Sequence, residues 1–180
     1  MKQEIRIAGV GGQGLVSASV ILAEALGVIR DFEVVQTQFY SSHITGGSSS
    51  GDIVMADEPI VFPWVLEPDF LIAMAQDAVN AHGKGMRPDT TVLVDDIMVD
   101  DTSAIPDGVE IHSAPLTRIA DEVGSRRCAN MVALGAFAKL TGLLSLDQIS
   151  QAVSARAPGR AELNQQAVEA GYALPFPPGA

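Results

Sequence analysis

The fold is decided near the N-terminus, by the stretch Ile5-Arg6-Ile7-Ala8-Gly9-Val10-Gly11-Gly12-Gln13-Gly14-Leu15-Val16. It begins as a short apolar run of strand length, and the glycines that follow end the strand. From residue 15 to residue 26 nearly every residue is a good helix former, and apolar side chains occur on all sides of the predicted helix. Residues 33–39 then return as a strand. This strand–turn–helix–strand order predicts a parallel α/β sheet.

The rest of the chain continues the alternation of strands and helices. Apolar runs around Phe70, Val92 and Val109 predict further strands, and residues 52–55 predict a short one. Helices are predicted at residues 76–82, 116–123, 127–140, 146–155 and 160–173. We therefore expect a single three-layer α/β domain with a mainly parallel sheet and a helical C-terminal part. We expect residues 1–174 to form this domain, and residues 175–180 to form a Pro-rich tail that is ordered only if a partner holds it.

Composition narrows the class of protein. The chain has 180 residues, of which 47% are hydrophobic and 18% are charged, which is typical of a globular domain. Eleven Lys and Arg against 22 Asp and Glu give a net charge of −11, which disfavours nucleic acid and anionic membranes as partners. No apolar signal segment begins the sequence and no apolar stretch spans a bilayer comfortably, so we expect a cytoplasmic protein.

The glycine-rich turn is the strongest local motif. Gly9, Gly11 and Gly14 stand at the first, third and sixth positions of the pattern G-x-G-x-x-G. Glycines at these positions allow a tight turn and a close approach of the backbone to a ligand, and the N–H groups at the start of the next helix would face an anion such as a phosphate. A turn that serves only the packing of helix against strand remains the alternative.

A nicotinamide site also needs an acidic residue at the end of the second strand, about 20 residues on. That strand ends in Gln36-Thr37-Gln38-Phe39, without a carboxylate, which argues against such a site. A second candidate, the Ser/Thr/Gly-rich loop predicted over residues 40–51, follows the same strand. Its part at residues 40–47 would offer N–H and O–H donors to a substrate or another chain, or would be a surface loop without a function.

Nucleophilic catalysis has one candidate, the single cysteine. Cys128 follows Arg126 and Arg127, a setting that can lower the pKa of a thiol, but a free cysteine is more often a small buried hydrophobe. One cysteine also excludes a disulfide framework and a multi-cysteine zinc or iron–sulfur site within the chain.

Metal ligands are also poorly supported. The three histidines, His43, His82 and His112, are scattered along the sequence. Two acidic pairs, residues 95–96 and 100–101, offer carboxylates for Mg²⁺, although a solvated acidic turn is the simpler interpretation. We assign no catalytic residue and no metal ligand from the sequence.

Several further blocks accompany the glycine turn in a fixed order. They are Gln36-Thr37-Gln38-Phe39-Tyr40, Gly46-Gly47-Ser48, Asp57-Glu58-Pro59-Ile60, Pro68-Asp69-Phe70-Leu71-Ile72-Ala73-Met74, Asn130-Met131-Val132-Ala133-Leu134-Gly135 and residues 164–171. With these blocks, which cover essentially the whole chain, the sequence resembles the gamma subunit of the 2-oxoacid:ferredoxin oxidoreductases, the family of the pyruvate, 2-oxoglutarate and ketoisovalerate enzymes.

The resemblance implies a subunit that is not active alone. Members of the family oxidatively decarboxylate a 2-oxoacid with coenzyme A, which yields an acyl-CoA, CO2 and reduced ferredoxin. The implied partners are alpha and beta subunits, a ferredoxin-like delta subunit, and ferredoxin through the complex. Thiamine diphosphate and Mg²⁺ would lie between alpha and beta, and [4Fe–4S] clusters in the beta and ferredoxin-like subunits, with no cofactor bound by this chain alone.

The resemblance and the turn together predict the residues that face a cofactor such as coenzyme A. They are Gly9, Gly11, Gly12, Gln13, Gly14, Tyr40, Ser41, Thr45, Gly46 and Gly47. We expect the glycine turn and residues 40–47 to leave adjacent strands and to form one surface. The chain departs from the usual loop of the family. It has His43 where the family has Glu and Thr45 where the family has Arg, so an anion-binding guanidinium is missing.

That departure leaves both the 2-oxoacid and the use of coenzyme A open at this stage. The alternative function is a stand-alone nucleotide- or acyl-CoA-binding protein of Rossmann-like type.

Overall fold

In the computed structural model, which describes residues 1–40, 47–156 and 158–177, six strands form one sheet in the order β2-β3-β1-β4-β5-β6. The strands are β1 (Lys2–Val10), β2 (Glu33–Tyr40), β3 (Ser48–Ala56), β4 (Phe70–Ala73), β5 (Thr91–Asp95) and β6 (Glu110–Ala114). Neighbouring strands are parallel from β1 through β4 and β5 to β6, whereas β3 is antiparallel to both β1 and β2. The predicted mainly parallel α/β sheet is therefore confirmed.

Strand β3 corrects the prediction of a loop over residues 40–51. Instead of a short strand at residues 52–55, β3 begins at Ser48 and pairs along its whole length with β1. Its small residues have a structural cause, because helix α1 (Leu15–Glu24) crosses the strand there. A Cβ on Gly51 would lie 2.1 Å from Oγ of Ser19, so a larger residue would push the helix away from the sheet.

The helices largely follow the sequence pattern. Besides α1 they are α2 (Gln76–His82), α3 (Leu116–Val123), α4 (Ala129–Thr141), α5 (Leu146–Arg156) and α6 (Ala161–Tyr172). Helix α1 continues into a π-helical turn, Ala25–Ile29. The start of α5 is a capping box, in which the backbone N–H of Ser145 donates to Oε1 of Gln148 at 2.9 Å and the N–H of Gln148 donates to Oγ of Ser145 at 3.3 Å.

The two faces of the sheet are covered unequally. One face, which we call the helix face, carries Ile5, Ile7, Ile53 and Leu93 beneath α1, α3, α4, α5 and α6. On the other face, which we call the thin face, Ala8, Leu71, Val92 and Val94 are covered by α2 and by loop residues; these are Met86, Val99, Ile105 and Val109. The carboxyl end of β1, with its glycine turn, lies on the side of the sheet where the parallel strands β1, β4, β5 and β6 all end.

The predicted tail begins by packing on the domain. The ring of Phe176 contacts that of His112 edge-on, with 5.4 Å between the ring centroids, and Leu174 and Phe176 pack against the apolar core. Phe176 therefore packs on the domain, and residues 178–180 of the predicted tail lie outside the described part of the chain. None of the helices in the described ranges is long and apolar enough to cross a membrane.

Candidate functional site

The glycine turn at the end of β1 is the centre of the candidate site. We expected the turn to leave a strand adjacent to β2, but β3 lies between β1 and β2. The two segments still meet, since the backbone N–H of Gly11 donates to the carbonyl oxygen of Gly47 at 3.0 Å. The insertion of β3 thus brings the start of that strand, rather than the end of β2, against the turn.

Two residues of the turn are engaged in packing and bracing. Gly9 is buried, and a Cβ on it would lie 3.1 Å from Cβ of Met74 and 2.2 Å from Oε1 of Gln13. The side-chain amide of Gln13 accepts from the N–H of Val10 at 2.8 Å and donates to the carbonyl of Met74 at 2.7 Å. Gln13 therefore ties the ends of β1 and β4 together, and its amide is turned to the backbone instead of to a ligand.

The remaining glycines are exposed and shape the turn. Gly12 has φ +95° with no atom within 4 Å of an added Cβ, and Gly14 has φ +70° at the N-cap of α1. Both conformations favour glycine. Within the described residues, the N–H groups of Gly12, Gly14, Leu15 and Val16 have no acceptor. These open donors at a helix N-terminus suit an anionic group such as a phosphate.

Asn130 is a part of the site that the sequence reasoning did not assign. Its side-chain N–H donates to the carbonyl of Gly14 at 3.0 Å, although the two residues are far apart in the chain. A Cβ on Gly14 would lie 2.6 Å from the same amide nitrogen. Asn130 thus holds the turn from α4; its sequence signals were a polar residue in a mostly apolar helix and its place in a block that carries the family resemblance.

Among the other predicted site residues, Tyr40 lies within the described part of the chain and three more do not. Tyr40 is exposed at the end of β2, where it pairs in register with Ser49, which itself pairs with Gly9. Two strand spacings, about 10 Å, therefore separate the backbone of Tyr40 from that of Gly9. Ser41, Thr45 and Gly46, together with His43, lie outside the described residues.

No described group near the turn is equipped for acid–base or nucleophilic chemistry. Burial raises the pKa of the Cys128 thiol, and the opposing effect of Arg160 is smaller, so the sequence-based argument for a lowered pKa is wrong. Asp95 is buried, and its carboxylate accepts hydrogen bonds from the N–H groups of Ile97 and Thr117 and from the Thr117 hydroxyl. It is therefore committed to the backbone instead of to Mg²⁺, and the described residues contain no group of three metal-ligating side chains.

A cavity of about 400 Å³ opens at the opposite edge of the sheet, beside Asp69, Glu110 and His112. It lies at the amino ends of the strands, whereas open α/β sheets bind ligands at the carboxyl ends. The glycine turn therefore remains the better candidate, as a surface that donates hydrogen bonds to an anion rather than as a catalytic centre.

Comparison with known proteins identifies the family. The sequence profile of the family described as pyruvate ferredoxin/flavodoxin oxidoreductase matches residues 4–174. The 2-oxoglutarate synthase subunit KorC of Methanocaldococcus jannaschii is 38% identical over 175 residues, which cover 96% of this chain and 93% of that subunit. Relatives named as 2-oxoglutarate synthase subunits are 34% to 38% identical, and those named as pyruvate synthase subunits are 30% and 31% identical.

Solved structures agree with the sequence relatives. The gamma subunit of the keto/oxoacid ferredoxin oxidoreductase from Geobacter sulfurreducens superposes with a TM-score of 0.84 at 33% identity, over 96% of this chain and 95% of that one. The 2-oxoglutarate:ferredoxin oxidoreductase of Magnetococcus marinus, solved with 2-oxoglutarate, coenzyme A and succinyl-CoA bound, superposes with a TM-score of 0.85 at 26% identity. That match covers 98% of this chain and 32% of the longer one. The chain therefore belongs to the pyruvate ferredoxin/flavodoxin oxidoreductase family, as a gamma-type subunit of a 2-oxoacid:ferredoxin oxidoreductase.

Proposed function

We propose that this chain is the gamma subunit of a complex that oxidatively decarboxylates 2-oxoglutarate with coenzyme A. The products are succinyl-CoA and CO2, and the two electrons released reduce ferredoxin. The choice of 2-oxoglutarate is carried by one observation, the higher identity to 2-oxoglutarate synthase subunits than to pyruvate synthase subunits.

Within that complex, we assign this chain the role of a ligand-contacting wall. The open N–H groups of Gly12, Gly14, Leu15 and Val16 fit a phosphate group of coenzyme A, and Gln13 and Asn130 hold the turn ready for it. The electron carriers belong to other subunits, because a single cysteine cannot ligate a [4Fe–4S] cluster. Thiamine diphosphate and Mg²⁺ are assigned to the alpha and beta subunits, which we propose as the partners together with a ferredoxin-like delta subunit.

The substrate is tested by reconstitution. The chain is co-expressed with alpha, beta and delta subunits of the family from the same organism, and coenzyme A-dependent reduction of ferredoxin is measured with 2-oxoglutarate, pyruvate and 2-oxoisovalerate. We expect the highest kcat/KM with 2-oxoglutarate and no activity of the isolated chain. A preference for pyruvate or 2-oxoisovalerate would overturn the substrate assignment, and full activity of the isolated chain would overturn the subunit role.

The ligand-contacting role is tested with a matched pair of glycines. Gly12 and Gly108 have φ +95° and +93°, and each has open space around an added Cβ. Gly12→Ala and Gly108→Ala should therefore cost similar stability, about 1 kcal/mol each, from backbone strain alone. Only Gly12→Ala should raise the KM for coenzyme A in the reconstituted complex. Equal kinetics for the two variants would mean that the turn is scaffolding.

An exposed apolar segment is the surface that we assign to a partner subunit. Val61, Phe62, Trp64 and Leu66 are between 49% and 95% exposed, although the residue between the last two, Val65, is buried. Such a run of large apolar side chains in water is typical of a protein–protein contact. Trp64→Ser should reduce co-purification of the alpha and beta subunits, whereas Val28→Ser, a change at a more exposed apolar residue on the π-helical turn, should not.

A further inference from the structure

A groove beside α1 gathers positive charge in an otherwise acidic protein. It has a volume of about 370 Å³ and runs between α1, the start of α4 and the start of α6. Three arginines line it, Arg127, Arg156 and Arg160, and no Asp or Glu is among its lining residues. Because the chain holds 11 Lys and Arg against 22 Asp and Glu, three arginines around one groove are a marked local reversal of charge.

Two of these arginines are not neutralised by ion pairs. Arg156 pairs with Glu24 at the end of α1, and the neighbouring Arg126, which lies outside the groove, approaches Asp121 at 4.0 Å. In contrast, Arg127 and Arg160 pair with no carboxylate in the described ranges. The charge of Arg160 is felt inside the groove, since it opposes the effect of burial on the pKa of the Cys128 thiol.

The floor of the groove adds buried amide groups. Asn130 and Asn164 are 6% and 9% exposed, and both line the groove. Oδ1 of Asn164 accepts from the thiol of Cys128 at 3.5 Å, and within the described residues its amide N–H group has no acceptor. A nine-tenths buried amide donor that is left open beside two free guanidinium groups is a partner for an oxyanion.

The chemistry of the walls narrows the class of ligand. Guanidinium groups bind phosphate oxygens in pairs, and two of them with an amide supply more donors than a single carboxylate can accept. Val16, Val20, Ile21 and Met131 form an apolar wall along the same groove. The cavity therefore suits a ligand with a phosphate group at one end and a less polar portion beside it.

We propose that this groove binds the phosphate group of a phosphorylated small molecule, with Arg127, Arg160 and Asn164 as its donors. The groove lies next to the glycine turn: Gly11 and Gly12 do not line it, whereas Val16, whose N–H group is one of the open donors of the turn, does. Asn130 connects the two, since it lines the groove and donates to Gly14. The proposal does not depend on which 2-oxoacid the complex uses.

The test is calorimetric titration of the full-length chain at low and at physiological salt, with pyrophosphate, ADP, coenzyme A and citrate as probes. We expect binding of the three phosphorylated probes and a Kd that rises with salt. Arg127→Gln and Arg160→Gln should each weaken binding about tenfold, the size of one lost charge-assisted contact. Arg126→Gln, one residue away and outside the groove, should leave Kd unchanged, and circular dichroism checks that each variant is folded.

The affinities for coenzyme A and ADP, compared with each other, identify the class of phosphorylated ligand that the groove binds. Binding of coenzyme A well above that of ADP assigns the groove to an acyl carrier, whereas equal binding of both assigns it to a nucleotide. A Kd that changes in the Arg127 and Arg160 variants but not in Arg126→Gln assigns the binding to this groove. No binding of any phosphorylated probe, equal affinity for citrate, or the same Kd in the Arg127 and Arg160 variants as in the wild type would overturn the proposal.

Discussion

The helix face and the thin face of the same sheet are held together by different forces. On the helix face, α4 and α6 approach so closely that the glycine of each contacts the backbone of the other. A Cβ on Gly135 would lie 2.0 Å from the carbonyl oxygen of Val168, and a Cβ on Gly171 would lie 2.0 Å from that of Val132. The helix face therefore depends on close packing of apolar and backbone atoms.

On the thin face, a partly buried ion pair adds to the packing of the apolar residues. Arg6 lies in the middle of β1 and forms a bidentate ion pair with Asp52 of β3, with Nε–Oδ1 at 2.8 Å and Nη2–Oδ2 at 2.5 Å. The same guanidinium donates to the carbonyl of Val65 at 2.9 Å, and its Nη1 lies 3.5 Å from Nδ1 of His82 at the end of α2. One arginine thus joins two strands, the apolar segment and α2.

The two faces should therefore be destabilised by different kinds of substitution. A change of volume should damage the helix face, because a close helix crossing cannot expand at low cost. A change of charge or pH should destabilise the thin face, because removing one partner of a partly buried ion pair leaves the other charge without compensation.

The largest effect is expected from Gly135→Ala. The added methyl group would overlap the α6 backbone and force the helices apart, so we expect a loss of about 3 kcal/mol in the free energy of unfolding and a Tm lower by about 10 °C. Chemical denaturation measures the free energy of unfolding, and a thermal melt followed by circular dichroism measures the Tm. Gly27→Ala is the control, since its Cβ would meet Val34 at an ordinary 3.5 Å, and its stability should stay within about 0.5 kcal/mol of wild type. A fully stable Gly135→Ala variant would break the contrast between the two faces.

A smaller loss is expected from Asp52→Asn. It leaves the Arg6 charge without its carboxylate at a site where the two side chains are 13% and 12% exposed, and we expect a loss of about 2 kcal/mol, below the range for a fully buried pair. The double variant Arg6→Met/Asp52→Leu should recover more than half of that loss, because no charge is then stranded. Strictly additive losses in a double-mutant cycle would show that the ion pair does not hold the thin face.

Local sequence patterns predict some parts of the fold and miss others. The strands of the parallel part and the helices come from local patterns, and the structure confirms them. Only residues 52–55 of β3 were predicted as strand, and its first part was missed because its serines and Gly51 have weak strand propensity; the crossing of α1 explains these small residues. The helix crossing at Gly135 and Gly171 was also missed, although both glycines close blocks that carry the family resemblance.

The candidate site divides in a similar way. The position of the glycine turn and its open N–H groups could be predicted, because a strand-to-helix turn is a local feature. The bracing role of Gln13 and the contact from Asn130 depend on partners far away in sequence, Met74 and Gly14, so no local pattern shows them. The charged groove is a third case, since the fold brings Arg127 against Arg156 and Arg160, which are far from it in the sequence.

The smallest effect that separates the two faces is the pH dependence of stability. Burial lowers the pKa of His82 below its ordinary value of 6.5, and the charge of Arg6 lowers it further, while Asp52 acts in the opposite direction. The unfolded chain therefore binds a proton at His82 more readily than the folded protein does, and stability falls as the pH drops through 6.5 towards the lower folded pKa. His82→Gln should make the free energy of unfolding less dependent on pH between 7.5 and 5.5. Gly135→Ala, a change confined to the helix face, should lower stability by the same amount at both pH values. If His82→Gln keeps the pH dependence of the wild type, the histidine does not contribute to the charge cluster of the thin face.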